Sequence, residues 1–254
     1  MILTRSFAVW LAALMFTMGA QAQALTDAAE KAAPSLVSPR ERIRLEAELS
    51  AEWVAALPQA AEAEQLLVVA AGGGSAARVT LHEKDGRGRW HMLLSAEGFV
   101  GRNGLIPDAE RWEGCGMTPI GVYGFNRAFG NADDPGCAIP YKKVTKFDYW
   151  SGDGRPGMGY NRMVDIRDLP DLDRGASEHL ADFGTEYRYC LNISFNAECT
   201  PGRGSAIFLH CTGAGKTYTA GCVAIPEAQM RQLMELVSPD CLVVIDYARN
   251  LGCA

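Results

Sequence analysis

The chain has no closely spaced Cys-x-x-Cys pair, and its four histidines (His82, His91, His179 and His210) are scattered. Zinc sites draw their ligands from close pairs, so this spacing argues against a metal site. No block of like charge stands out. The formal net charge of -6 offers no basic surface, which argues against a nucleic-acid partner. Internal repeats are absent, and beyond the first two dozen residues no apolar run approaches the length of a membrane span. Gly213-Ala214-Gly215-Lys216-Thr217 looks like the end of a phosphate loop, but His210 stands where the leading glycine is required. Its flanks read strand to strand, and the Gly72-Gly73-Gly74 triplet opens no helix. Neither stretch is a nucleotide site.

What is present begins with an address. Arg5 supplies a positive charge ahead of the short apolar run 7–16, and Ala20-Gln21-Ala22 and Ala22-Gln23-Ala24 both fit a small-residue cleavage site. Residues 1–24 therefore read as a signal peptide, with an uncleaved anchor as the alternative. Residues 25–64 form an N-terminal extension, and 65–254 a single domain with an ordinary 48% hydrophobic content.

All eight cysteines lie beyond the leader: Cys115, Cys137, Cys190, Cys199, Cys211, Cys222, Cys241 and Cys253. Export permits disulfides, so structural bridges are the default expectation. Cys115 with Cys137, and Cys241 with Cys253, are the favoured pairs. If Cys222 stays free, seven remain, so at least one more is unpaired or pairs between chains.

In the extension, Ser38-Pro39-Arg40-Glu41 combines an N-cap serine, a proline at the first helical position and an acid at N3. Ile43, Leu45, Leu49, Trp53, Val54 and Leu57 follow at roughly helical spacing up to Pro58. This predicts one amphipathic helix packed on the domain, or else a spacer. From residue 66 the pattern is β. Leu66-Leu67-Val68-Val69-Ala70 reads as a buried strand, and alternation on both sides of Lys84-Asp85-Gly86-Arg87-Gly88 predicts a hairpin with Asp-Gly at its tip. His82 and His91 fall on the polar faces of that hairpin and read as solvent-facing. Residues 128–160, rich in Gly, Pro, Asp and aromatics, are either a substrate cleft or an irregular loop pinned by its own rings.

Strands are expected at 187–195, 206–210, 219–225 and 242–245, with a helix after Pro226 whose apolar face holds Met230, Leu233, Met234 and Val237. Many short strands with few helices predict a mainly β, chiefly antiparallel barrel or sandwich with peripheral helices.

The chemistry concentrates at His210 and Cys222. The strand period places Ala206, Phe208 and His210 on one face, so His210 ends its strand where a side chain can reach a cleft. Cys211, next to it, should face the opposite side and read as core or a bridge. The Gly213-Ala214-Gly215 loop lets Thr219-Ala220-Gly221-Cys222 return beside that strand. A thiol needs a nearby base, and Gly221 permits close approach of backbone to a substrate. The alternative is a buried structural cysteine and a strand-end histidine.

His210 followed by Thr219-Ala220-Gly221-Cys222, together with Thr118-Pro119-Ile120-Gly121-Val122-Tyr123, resembles the L,D-transpeptidase catalytic domain (YkuD-type) over residues 65–246. The resemblance implies a β-barrel or sandwich fold, with Cys222 as the acyl-accepting nucleophile and His210 as its base. Gly221, Thr219 and Ala220 would sit at the substrate and oxyanion pocket. It implies attack on the L,D bond of peptidoglycan stem peptides in the periplasm or cell envelope, without cofactor or metal, and transfer to a stem amine or an envelope-protein acceptor. Transfer to water, as an L,D-carboxypeptidase or amidase, and a non-catalytic, disulfide-stabilised wall-binding role are the alternatives. Ala220 stands where the family commonly has histidine, and Val223 where it commonly has arginine or asparagine. Thr219 keeps a hydroxyl beside the nucleophile.

Overall fold

The computed structural model describes residues 38–253; the signal-peptide reading of residues 1–24 lies outside them. The chain divides into two units, 1–45 and 46–254. Helix α1 (Pro39–Glu46) opens as its sequence predicts, with the Glu41 amide bonded to Ser38 Oγ at 3.2 Å. None of its residues is buried.

The expected single helix through Leu57 is not formed. Two extended residues, β1 (Glu48–Leu49), pair antiparallel with β4 (Trp90–Phe99), and the Ser50 amide bonds Trp90 O at 2.8 Å. A second short helix, α2 (Glu52–Ala56), follows with Val54 buried. Pairing with a sheet edge outweighs a helical periodicity that is weak between Leu45 and Trp53.

The second unit is built on a 12-stranded mixed sheet. β2 (Gln65–Gly73), β3 (Ala76–Lys84) and β4 run as antiparallel neighbours. The Asp-Gly hairpin forms at the predicted place, with the Asp85 amide bonded to Arg89 O at 2.8 Å. β5 (Leu105–Pro107) and β6 (Thr118–Tyr123) extend the sheet on the β2 side through β15 (Leu242–Tyr247). On the β4 side come β14 (Val223–Ile225), β13 (Phe208–Cys211), β12 (Cys190–Ile193), β7 (Phe125–Gly130) and β8 (Tyr141–Lys143). The pairs β15–β2, β13–β14, β5–β6 and β7–β8 are parallel and the others antiparallel. Helix α3 (Glu227–Leu236) buries Met230, Leu233 and Met234, the predicted apolar face. A separate small sheet joins β10 (Met163–Asp165), β9 (Asp148–Trp150) and β11 (Glu178–His179).

Two sequence expectations are corrected here. His82 is not solvent-facing: it is 2% exposed, with Ser50 Oγ and Thr80 Oγ1 each 2.8 Å from a ring nitrogen. A register shift between Leu81 and His82 breaks the strict alternation, and the edge of Trp53 packs on the ring at 5.8 Å. His91 is half-buried and bonded to Asp85. The expected disulfides do not form either: among the described residues no cysteine is bridged to another. β6 and β7 follow one another but pair with β15 and β12, so no hairpin returns Cys137 to Cys115. Cys241 Sγ lies 3.6 Å from Leu242 O and Cys253 Sγ 3.6 Å from Ala248 O. The whole of β15 separates those carbonyls by about 20 Å, far beyond a bridge.

Beneath the site, Phe129 of β7 packs edge-on to Phe208 at 5.1 Å and to Tyr187 at 6.2 Å, and stacks on Trp150 at 6.0 Å. Tyr149, Trp150 and Tyr160 of the turn-rich segment are all buried, and Trp150 also faces the cleft described below, so neither reading of the segment displaces the other. Phe129→Ala should lower stability by about 3–5 kcal/mol; a urea midpoint unchanged from the parent would show that this aromatic cluster does not hold the sheet.

Candidate active site

β13 and β14 pair in parallel with Leu209 opposite Val223, His210 opposite Ala224 and Cys211 opposite Ile225. Paired residues share a face, so His210, Phe208, Ala224 and Cys222, which directly precedes β14, lie on the same side of the sheet. The expected strand 206–210 begins two residues later, because Ala206 adopts a left-handed φ of 55°. The expected strand 219–225 is likewise shortened to β14, preceded by a single bridge from Thr219 to Gly101. Cys211 points to the other side, its Sγ 3.7 Å from Tyr189 O, as core.

A cleft of about 480 Å³ brings the predicted residues together, with Cys222, His210, Gly221, Thr219 and Ala220 all on its lining. Cys222 Sγ donates to Ala206 O at 3.2 Å and accepts from the Phe208 amide at 3.4 Å. His210 Nδ1 lies 2.8 Å from Cys211 O. A carbonyl only accepts, so Nδ1 carries the proton and Nε2 keeps its lone pair. The edge of Tyr187 holds the imidazole at 5.5 Å.

The backbone of Cys222 is tied from two directions. Thr219 Oγ1 donates to Cys222 O at 2.7 Å and accepts from the Gly221 amide at 3.1 Å. Thr118 Oγ1 donates to the same carbonyl at 3.1 Å and accepts from the Gly101 amide at 2.9 Å. Gly221 has a φ of +145°, and a Cβ there would lie 3.1 Å from both Arg111 Nη2 and Met117 O. The positive φ favours glycine there, and a side chain would also crowd Arg111 and Met117.

Burial sets the charge state. It pushes the Cys222 thiol up to about 12, with the nearby Glu178 adding to the effect and the Phe208 amide and Arg111 opposing it. It also holds His210 down at about 4. The resting pair is therefore a neutral thiol and a neutral imidazole. This is the opposite of the pKa-lowering that proximity alone would suggest.

A family model described as the L,D-transpeptidase catalytic domain (YkuD) matches residues 75–245. The chain belongs to this family. Among curated proteins no sequence matches it. Among solved structures it is similar to the helical cell shape determining protein Pgp2 from Campylobacter jejuni, at 14% identity and a TM-score of 0.37. That likeness covers 72% of this chain and 48% of the other, so the chain spans about half the length of that protein. Among the described residues no helix is long and apolar enough to cross a membrane.

The L,D-transpeptidase domain also places residues at the cleft that the sequence did not single out. Glu178 accepts from Tyr187 OH at 2.6 Å, and burial raises its carboxyl above the usual range. Arg111 and Trp150 line the same space. No spacing links these residues to Cys222; a buried charge is visible only once the chain has folded. Thr118 was visible in its motif, but its bond to the Cys222 carbonyl was not. Lys216, the decoy lysine, is paired with Glu186 at 2.8 Å.

Alkylation of Cys222 by iodoacetamide, followed by peptide mass spectrometry, should still be accelerating beyond pH 9. A plateau near the ordinary thiol value of about 8.5 would mean that burial does not control this group.

Proposed function

We propose that the protein is an exported cysteine L,D-transpeptidase acting on peptidoglycan stem peptides. One observation carries this reading: a free thiol and a neutral imidazole with its Nε2 lone pair available lie on the same sheet face in one cleft. The nucleophile's carbonyl is meanwhile held by two threonine hydroxyls. Family membership supplies the reaction class.

In the first half-reaction Cys222 Sγ attacks the carbonyl carbon of the L,D peptide bond while its proton passes to His210 Nε2. Concerted transfer avoids a free thiolate, which burial disfavours. Collapse of the tetrahedral intermediate breaks the C–N bond. His210 returns the proton to the departing D-residue's amine, leaving a thioester on Cys222. In the second half an acceptor amine attacks the thioester and gives its proton back through His210. An amide forms and the thiol is restored. The acceptor is a second stem, giving a cross-link, or an envelope-protein amine. Water in that place would make the enzyme an L,D-carboxypeptidase. No step calls for a cofactor.

Thr219 and Gly221 serve the pocket by shaping the turn that presents Cys222. Ala220, where the family commonly has histidine, leaves that part of the wall apolar and small.

Incubation of the mature protein with tetrapeptide-bearing muropeptides should give cross-linked dimers by mass spectrometry, and Cys222→Ala should give none. Trimmed monomers without dimers would reassign the activity to hydrolysis. His210→Asn should lower kcat by about 10²–10⁴-fold. Because the base must be neutral and its value is held at about 4, kcat/KM should stay flat from pH 7 to pH 5 and fall only as pH drops through about 4. A fall centred near 6.5 would contradict the buried state of His210.

A further inference from the structure

Arg111 is 5% exposed and lines the cleft that holds Cys222. Charged side chains are almost never this buried without a counter-charge, because desolvation is costly unless a partner offsets it. Among the described residues no carboxylate pairs with it. Asp108, whose backbone carbonyl accepts from the Arg111 amide, has its carboxylate paired with Arg203. Glu113 is engaged by Tyr160 OH, and Glu178 by Tyr187 OH. Arg111 is instead held by neutral groups: its Nε donates to Met117 O at 3.3 Å, its Nη1 to Arg203 O at 3.1 Å, and its plane lies 4.9 Å over the Phe195 ring.

These contacts fix the guanidinium and leave Nη2 beside Gly221, the residue before Cys222. Nη2 lies 3.1 Å from where a Cβ at Gly221 would be, and Nη1 occupies the space of a Cβ at Gly204. Both glycines have positive φ, +145° and +115°, so the backbone on each side is shaped to admit this group. The other cations on the cleft are different in kind. Lys216 is well exposed and paired with Glu186, and Arg102 is exposed.

We propose that Arg111 binds the free carboxylate of the donor's leaving D-residue. The assignment rests on the transpeptidase reading and adds to it the group that recognises the donor's end. In an L,D stem that carboxylate is three bonds from the scissile carbonyl carbon, within about 4 Å. An anion-binding group must therefore lie as close to Cys222 as Arg111 does. A guanidinium donates charge-assisted bonds to a carboxylate with fixed geometry, which favours donors ending in a free acid over amidated or extended ones.

The test is a binding comparison in the Cys222→Ala background, by calorimetry, of a tetrapeptide with a C-terminal carboxylate against the same peptide as carboxamide. With Arg111 intact the carboxylate should bind about 10- to 100-fold more tightly. In Cys222→Ala/Arg111→Met the two should bind within about threefold of each other, and Arg111→Lys should recover part of the preference. Equal binding with Arg111 intact, or a preference that survives Arg111→Met, overturns the proposal. The peptide comparison with Arg111 intact decides the question even if the methionine variant does not fold. Failure of the underlying reading looks different. There, neither peptide binds and the wild type forms no Cys222 acyl-enzyme, so the assignment falls with it.

Discussion

The parallel pairing of β13 with β14 is the constraint on which the site depends. It places Cys222 and His210 on one face although eleven residues separate them in the chain, and it makes the returning segment cross the end of the sheet. A parallel pair needs a crossover, and here the crossover is the Gly213-Ala214-Gly215 loop followed by Thr219-Ala220-Gly221. The carbonyl of Cys222 then becomes the anchor. Thr219 from its own loop and Thr118 from β6 both donate to it, so two parts of the chain 101 residues apart in sequence meet at one oxygen. Side-chain hydroxyls that donate to one backbone group and accept from another leave no buried polar atom of their own unpaired, which is why they tolerate such depth.

The second theme is burial. The aromatic cluster of Phe129, Trp150, Tyr187 and Phe208 forms the apolar floor under the sulfur, together with Cys190 and Ala206. That floor stiffens the strands and strips solvent from the thiol and the imidazole. Both respond by staying neutral, the thiol raised and the histidine lowered. Charged side chains of both signs line the cleft walls, among them Arg111 beside Gly221 and Glu178 bonded to Tyr187. A neutral thiol and imidazole between charged walls are compatible with the reaction proposed above, in which the proton moves with the attack.

Legibility in the sequence followed the range of the interactions. The β2–β3–β4 hairpins and α3 were readable because alternation, turn chemistry and a helical stripe act within a few residues. His210 and Cys222 were readable for the same reason: a strand end, a glycine loop and a Gly-Cys pair sit in one short stretch. The helix expected through Leu57 was misjudged because β1 satisfies its backbone on β4, a partner far along the chain. His82 was misjudged because one register shift moved it from the outer to the inner face. The disulfides were expected from the number of cysteines and the leader, but bridging depends on where strands end, and β6, β7 and β15 carry the chosen partners apart.

The amino-acid sequence by itself determined the mainly β architecture, the placement of a thiol and an imidazole at adjoining strand ends, and the family to which the domain belongs. All three follow from local periodicity and short spacing. Only the tertiary structure decided the charge state of that pair, the threonine clamp on the Cys222 carbonyl, and the presence of Arg111 and Glu178 at the cleft. Those depend on solvent exclusion and on contacts between distant segments, and neither quantity exists until the sheet has closed over them.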